Sequence, residues 1–264
     1  MRFSTGAMDD RAGLRNQLRP DVNYERPAGG GRRLFDLVGD LHGKTILDLG
    51  CGLGGFRPQI EQRGGTWVGM DLAGERVSVV GDAYHLPFGA GSFDGVLCAA
   101  LFEHIPDLDV TMREIQRVLR TGGKLFGYAS FLEPFHGMSY FHMSHMGLEH
   151  LFLKHGFRPT HVFAPQIGTA YQLECMLFPK PVPVIQPIAR VALQRLFAAV
   201  LAVNRGARAV MYAVRPGSGG SDSARNLYRQ LLSVRFAVGF NFVAVKDETA
   251  MPVTAGYTAL VRED

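Results

Sequence analysis

The sequence predicts an α/β protein built on one doubly wound, mostly parallel sheet of seven strands. From residue 44 onward, short apolar segments typical of buried strands alternate with segments of helical periodicity. The first strand runs into a glycine-rich loop, in the stretch "ILDLGCGLGG" at 46–55. Strands that alternate with helices in this way pair in parallel and are covered on both faces.

Each element is predicted from its own pattern and its end signals. Strands are expected at 44–49, 66–70, 77–80, 93–98, 124–130, 158–164 and 239–247, and helices at 32–41, 56–62, 109–119 and 146–155. Pro58 suits the first turn of the second helix. Met112, Ile115 and Val118 lie on one face of the third helix. Gly156 marks the end of the fourth helix.

The chain is predicted to form one domain at 32–264, preceded by an N-terminal arm at 1–31 that lies over the surface or folds back on a site. A helical insertion at about 168–236 separates the sixth and seventh strands, which a short turn would have been able to join. We expect the insertion to act as a cover or as an interface helix.

Composition limits the functional class. The 264 residues are 47% hydrophobic and 20% charged, which is enough to bury one large core. The net charge is +4, but basic residues are spread over the whole chain, so no nucleic-acid partner is expected. Three scattered cysteines form no CxxC pair, and the first residues show no export signal. These features predict a cytoplasmic protein.

The glycine loop predicts a nucleotide-like ligand, and Asp48 indicates which one. Gly50 and Gly52 let the backbone approach a ligand beside a helix N-terminus. A P-loop is excluded because no Lys-Ser or Lys-Thr follows at the required spacing. The dinucleotide fingerprint is partly met, but the Asp48 carboxylate would repel a pyrophosphate. A carboxylate suits instead the cationic ammonium and sulfonium groups of S-adenosylmethionine.

Two further acids close neighbouring strands. Asp71 follows the second strand, where a carboxylate can accept hydrogen bonds from ribose hydroxyls. Asp82 follows the third strand, where it can accept a hydrogen bond from an adenine amino group. Either residue alone could be a turn residue at a strand end, which is the commoner role of an isolated aspartate. Their joint placement with Asp48 favours the cofactor.

Four segments in order carry a resemblance to a known family. They read "ILDLGCGLGG", "WVGMDL", "GDAYHLPFGAGSFDGVLCAALFEHIPD" and "REIQRVLRTGGKLFGYAS". Together they resemble the class I S-adenosylmethionine-dependent methyltransferases, in particular the small-molecule branch called methyltransferase type 11. The resemblance covers about 44–164. It implies a Rossmann-like fold whose last strand is antiparallel, and 239–247 could supply that strand.

The resemblance also implies the cofactor contacts. It places Asp48, Gly50, Cys51 and Gly52 around the methionine portion, Asp71 and Leu72 at the ribose, Asp82 and Ala83 at the adenine, and Cys98 and Ala99 beneath the sulfonium. One departure is visible, because only ten residues separate Asp71 from Asp82. The short connection has room for barely a turn of helix.

Histidines crowd the side of the sheet where the family holds its substrate. His104 lies just beyond the fourth strand, and His136 and His142 lie in the segment after the fifth. Each is a candidate for substrate contact or for the general base that removes a proton from a hydroxyl acceptor. His104 could equally cap a helix or pack against Pro106. His142 and His145 have the spacing of metal ligands, but we predict no metal site.

A helix predicted within 187–214 combines a broad apolar face with an arginine stripe. The stripe contains Arg190, Gln194, Asn204, Arg205 and Arg208, and the following Arg215 continues it. Arg195 lies outside the stripe. The helix is too charged to span a bilayer comfortably. It could pack as a lid, form a dimer contact or lie in a membrane interface, so peripheral membrane contact is possible and the oligomeric state is open.

The sequence therefore predicts an S-adenosylmethionine-dependent methyltransferase that acts on a small-molecule or lipid-like acceptor. Oxygen is the preferred methyl acceptor because of the histidines, and carbon and nitrogen remain open. One alternative is a protein that keeps the fold and binds the cofactor without transferring methyl groups. A second is an NAD-dependent oxidoreductase, which Asp48 disfavours.

Overall fold

The computed structural model describes residues 18–19, 21–25, 34–132, 138–165, several helical positions between 188 and 203, and 237–247. Seven strands form one sheet: β1 (Thr45–Leu49), β2 (Thr66–Asp71), β3 (Val79–Val80), β4 (Phe93–Ala99), β5 (Leu119–Ser130), β6 (Phe157–Phe163) and β7 (Gly239–Lys246). Their order is β3-β2-β1-β4-β5-β7-β6, and β7 alone runs antiparallel to its neighbours. The predicted fold class is confirmed.

Four helices and one 3₁₀ turn connect the described strands. The helices are α1 (Leu34–Val38), α2 (Arg57–Glu61), α3 (Leu108–Val118) and α4 (His145–Lys154), and the turn is Phe102–His104. The Asp107 side chain caps α3 by accepting from the backbone N–H groups of Asp109 and Val110. At the other end, the Lys246 ammonium donates to the carbonyls of Gln116 and Leu119.

The start of β5 differs from the predicted secondary structure. Leu119, predicted as the last residue of a helix, begins β5, because it pairs with Phe93 across the sheet. The β2–β3 connection at 72–78 contains bends and no helix. Most of the predicted insertion at 168–236 lies outside the described residues, although the positions described between 188 and 203 are helical.

Apolar side chains cover both faces of the sheet. The larger cluster packs α3, α4 and the 3₁₀ turn against the sheet, with Phe102, Met112, Ile115, Phe152 and Phe242 fully buried. The smaller cluster packs α1 and α2 on the opposite face around Phe35, Ile60, Trp67 and Phe126. This two-sided burial explains why the central strands read as continuous apolar runs.

The described part of the predicted N-terminal arm belongs to the core. Leu18, Val22 and Tyr24 are buried in the larger cluster. Asn23 extends the sheet beyond β6, because its N–H donates to Thr160 at 2.9 Å and its carbonyl accepts from Val162 at 3.0 Å. This pairing covers an edge strand that would otherwise present unpaired backbone groups.

A buried hydrogen bond anchors this segment to α4. The Tyr24 hydroxyl donates to the Glu149 carboxylate at 2.7 Å, and the Arg19 N–H donates to the same hydroxyl at 2.9 Å. Tyr24 is 1% exposed and Glu149 is 4% exposed. Burial raises the pKa of Glu149 to about 7, although the Tyr24 bond and the Arg19 charge act in the opposite direction.

This raised pKa predicts a pH-dependent stability. An acid whose pKa is higher in the folded state than in the unfolded chain costs stability as pH rises from about 4.5 to about 7. Glu149→Gln keeps an acceptor for Tyr24 but has no charge to bury. We expect it to raise the free energy of unfolding by roughly 2–3 kcal/mol at pH 8 and by much less at pH 4.5.

Urea unfolding of both proteins at the two pH values measures this difference. Glu75→Gln, at an exposed glutamate, is the matched control and should show no such change between pH values. An equal effect of Glu149→Gln at both pH values would contradict the interpretation.

Candidate functional site

The strand order creates a crevice at the carboxyl edge of the sheet. β1 and β4 are neighbours, but the chain continues from β1 toward β2 on one side and from β4 toward β5 on the other. In open α/β sheets, ligands bind at such a switch point, outside the carboxyl ends of the strands. The glycine loop after β1 and the 3₁₀ turn after β4 therefore flank the candidate site.

Backbone hydrogen bonds fix the glycine loop against β2. The N–H groups of Gly50 and Cys51 both donate to the Met70 carbonyl, at 2.8 and 3.2 Å. Gly50 and Gly52 have φ of +74° and +53°, which favours glycine. A Cβ at Gly50 would lie 2.8 Å from the Leu101 side chain, whereas a Cβ at Gly52 would meet open space. The loop thus presents its backbone toward an open volume.

Asp48 places a buried carboxylate directly beneath this loop. Asp48 is 1% exposed, and the Trp67 indole N–H donates to it at 2.9 Å. No lysine or arginine within the described ranges pairs with this carboxylate. Burial raises the pKa of Asp48 to about 6, and the charge of Asp71 acts in the same direction. Such a site is electrostatically suited to a cation.

Asp71 and Asp82 both accept backbone hydrogen bonds. The Asp71 carboxylate accepts from Gly52 at 2.8 Å and from Leu72 at 2.7 Å, so it links the β1 and β2 loops. Asp82 is exposed and accepts from the Tyr84 N–H at 2.9 Å, which is the turn role considered as its alternative. Each carboxylate has further lone pairs for ligand hydroxyl or amino groups. Ala83 beside Asp82 is buried.

At the end of β4, two adjacent residues differ in their access to the crevice. The Cys98 side chain is fully buried in the larger core cluster, so only its backbone can face a ligand. Ala99 is half-buried on the other face of the sheet. Ala100 follows with φ of +55°, an uncommon conformation for a residue with a Cβ. Strained backbone of this kind concentrates at functional sites.

A family model described as a methyltransferase domain, of type 11, matches residues 47–127. The match runs from within β1 into β5 and includes the carboxyl ends of β1 and β4, which flank the crevice. Residues 47–127 therefore belong to a class I S-adenosylmethionine-dependent methyltransferase domain of the type 11 family. The family predicted from the four segments is thereby confirmed.

Curated relatives share the methyltransferase domain. The ubiquinone biosynthesis O-methyltransferase of Pseudomonas paraeruginosa is 33% identical over 103 residues, which are 33% of this chain and 44% of the relative. The fatty-acid O-methyltransferase of Mycolicibacterium smegmatis is 35% identical over 99 residues, which are 32% of this chain and 36% of the relative. The chain thus spans less than half the length of these relatives.

A solved structure shares the fold of the methyltransferase domain more widely. The geranyl diphosphate C-methyltransferase of Streptomyces coelicolor A3(2) was crystallised with Mg²⁺, geranyl diphosphate and S-adenosyl-L-homocysteine. Its TM-score to this chain is 0.50 at 16% identity, over 81% of this chain and 74% of that chain. The likeness concerns the fold alone.

The carboxyl edge of the methyltransferase domain fits the family's cofactor. A buried carboxylate without a cationic partner, Asp48, lies beside a glycine backbone that borders open space at Gly52. S-adenosylmethionine carries an ammonium and a sulfonium, and its ribose and adenine need acceptors of the kind that Asp71 and Asp82 supply. The observed charges and open space therefore agree with this cofactor.

The acceptor side of the crevice is formed by the 3₁₀ turn and by the segment 138–143. The His104 Nδ1 atom lies 3.2 Å from the Met138 carbonyl oxygen. Because a carbonyl oxygen only accepts, Nδ1 is the donor in this contact. The contact holds the His104 ring beside the segment 138–143.

The other two predicted histidines differ from His104. His142 is engaged at both ring nitrogens, with the Phe131 carbonyl at 3.0 Å and the Ser139 hydroxyl at 2.9 Å. These contacts favour a structural role for His142 in holding the segment. His136 and Glu133 lie outside the described residues. Within the described part of the chain, no three His, Cys, Asp or Glu residues cluster as metal ligands would.

Sequence reasoning missed two features of the site. Glu103 and Ser130 are both 1% exposed, and the Ser130 hydroxyl donates to Glu103 at 2.6 Å, which joins the ends of β4 and β5. The second feature is the hydrogen bond from Trp67 to Asp48. The sequence offered one signal for it: Trp67 is the only tryptophan of the chain, and a buried indole N–H needs an acceptor. His155, which follows α4, has a side chain that is 7% exposed and paired with Asp109.

Proposed function

We propose that this protein transfers a methyl group from S-adenosylmethionine to a hydroxyl of a small-molecule or lipid-like acceptor. The proposal is carried by two residues at the carboxyl ends of neighbouring strands, the buried Asp48 carboxylate in β1 and His104, which follows β4 and contacts the Met138 carbonyl. The names of the two curated relatives, both O-methyltransferases, support oxygen as the acceptor atom.

In this proposal, three aspartates bind the cofactor and His104 removes a proton from the acceptor. S-adenosylmethionine supplies an electrophilic methyl carbon. Asp48 attracts the cationic end of the cofactor, and Asp71 and Asp82 accept hydrogen bonds from its ribose and adenine. His104 Nε2 takes the proton of the acceptor hydroxyl, while the Met138 carbonyl keeps Nδ1 protonated and stabilises the imidazolium that results. Alignment of the two reactants supplies the remainder of the rate enhancement.

Asp48→Asn tests the cofactor site. Ionised Asp48 attracts a cation and neutral Asp48 does not, so wild-type affinity for S-adenosylmethionine should rise about tenfold between pH 5 and pH 7.5. Asp48→Asn should bind more weakly at pH 7.5 and lose this pH dependence. Isothermal titration calorimetry measures both effects, with Asp40→Asn, at an exposed aspartate, as control. A pH-independent wild-type affinity would argue against the assigned role.

His104→Asn tests the proposed base. Asparagine can still donate to the Met138 carbonyl but has no basic nitrogen. We expect kcat for hydroxyl acceptors to fall by roughly 10²–10³ while the affinity for S-adenosylmethionine is retained. Formation of S-adenosylhomocysteine is measured over a panel of phenols and aliphatic alcohols. His150→Asn, on the exposed side of α4, is the control. Cofactor binding without turnover by the wild type would support the non-methylating alternative.

We also propose that the region around 188–203 contacts an anionic membrane surface. Its described helical positions expose large apolar side chains, at Ile188, Val191, Leu196 and Val203. Residues 175–221 contain six basic residues and no acid, although the other residues hold 22 basic and 24 acidic ones. An exposed apolar face within a cationic stretch is typical of interfacial helices. No helix among the described residues is long and apolar enough to cross a bilayer.

Co-sedimentation with vesicles tests this contact. We expect binding to phosphatidylglycerol vesicles that weakens with salt, and little binding to phosphatidylcholine vesicles. Leu196→Glu should reduce binding about tenfold, because it puts a charge on the exposed apolar face. Val80→Glu, at a similarly exposed position on β3, should leave binding unchanged. A protein that stays in the supernatant with both lipids would refute the proposal.

A further inference from the structure

The acceptor side of the crevice exposes an unusual amount of apolar side chain. Met138 is 90% exposed, Tyr140 63%, Phe141 42% and Met146 39%. These four residues, called here the acceptor rim, lie within nine consecutive positions after β5. Single exposed apolar residues are ordinary, but several together beside a crevice indicate a binding surface.

The backbone of the rim is held in place before any ligand binds. The Tyr140 N–H donates to the Glu103 carbonyl at 2.6 Å, and the Met143 N–H donates to the Ser130 carbonyl at 3.2 Å. The side chains of Glu103 and Ser130 are themselves joined at 2.6 Å. The rim is therefore fixed to the ends of both β4 and β5.

Met138 has an unfavourable backbone conformation within this fixed segment. Its φ is +60°, a left-handed conformation that is rare for a long side chain. In this conformation its carbonyl faces His104 Nδ1 while its side chain is almost wholly in solvent. One strained residue thus connects the candidate base with the most exposed apolar side chain of the rim.

We propose that the acceptor is a hydroxyl compound with an apolar chain, and that the acceptor rim binds this chain while the hydroxyl lies at His104. The inference rests on the proposed function and narrows its substrate class. The exposed side chains of the rim are two methionines, a phenylalanine and the ring of a tyrosine, which suit an apolar chain.

A homologous series of ligands tests the rim without requiring turnover. The methyl, butyl and octyl esters of 4-hydroxybenzoate share one phenol and differ only in chain length. Each is titrated by calorimetry into the full-length protein loaded with S-adenosylhomocysteine. We expect the dissociation constant to fall at least about tenfold from the methyl to the butyl ester, because each covered methylene contributes to affinity. The octyl ester should bind at least as tightly as the butyl ester.

Two variants assign the chain-length effect to the rim. Met138→Gly suits the left-handed backbone, so it removes the side chain and keeps the carbonyl that contacts His104. Phe141→Ser removes a second apolar side chain. Each should weaken binding of the butyl ester by about threefold or more and leave the methyl ester nearly unchanged. Val80→Ser is the control for loss of an exposed apolar residue elsewhere.

The outcomes separate this inference from the function on which it rests. Equal affinities across the series, no binding of any ester, or unchanged affinities in both rim variants would overturn the assignment of the rim. If S-adenosylhomocysteine itself does not bind, the proposed function fails. The ester series is then repeated on the protein without it, where a chain-length dependence lost in Met138→Gly would still support an apolar ligand at the rim.

Discussion

The hydrogen bond from the Trp67 indole to Asp48 holds a carboxylate between β1 and β4, where the strand order reverses. This carboxylate is buried, yet its partner is a neutral donor and its nearest charged influence is another acid, Asp71. A protein core ordinarily pairs such a group with a cation. Under the proposed function, the ligand supplies this cation. The glycine loop, the Asp71 link to that loop and the open space at Gly52 are arranged around this unbalanced charge.

On the acceptor side, the segment 138–143 is held by backbone hydrogen bonds to residues that follow or end neighbouring strands. Carbonyl groups of Glu103 and Ser130 hold the segment 138–143, and a carbonyl of that segment in turn orients His104. Side chains at the surface of the segment are consequently available to contact an acceptor. Under the proposed function, changes in those side chains would alter the acceptor without moving His104, and in this way one fold can serve many substrates.

The sequence predicted where Asp48, Asp71 and Asp82 lie in the sheet, but it did not predict how the segment 138–143 is held. Asp48 lies near the end of β1, Asp71 ends β2 and Asp82 follows β3, so their placement at one sheet edge follows from the parallel topology. The role of Met138 had no local signal, since its left-handed backbone results from contacts with residues far away in sequence. The same holds for Tyr24 and Glu149, which are 125 positions apart. Leu119 was predicted to end a helix, but it begins β5 because it pairs with Phe93.

The position of β7 has a consequence for the order of assembly. β7 lies between β5 and β6, although it follows both in the chain by many residues. Until 239–246 have been synthesised, β6 has no partner strand on that side, and the Asn23 contact has no completed sheet edge to cover. The larger apolar cluster then lacks Phe240 and Phe242. During synthesis, the nascent chain therefore exposes an incomplete sheet until β7 has been made.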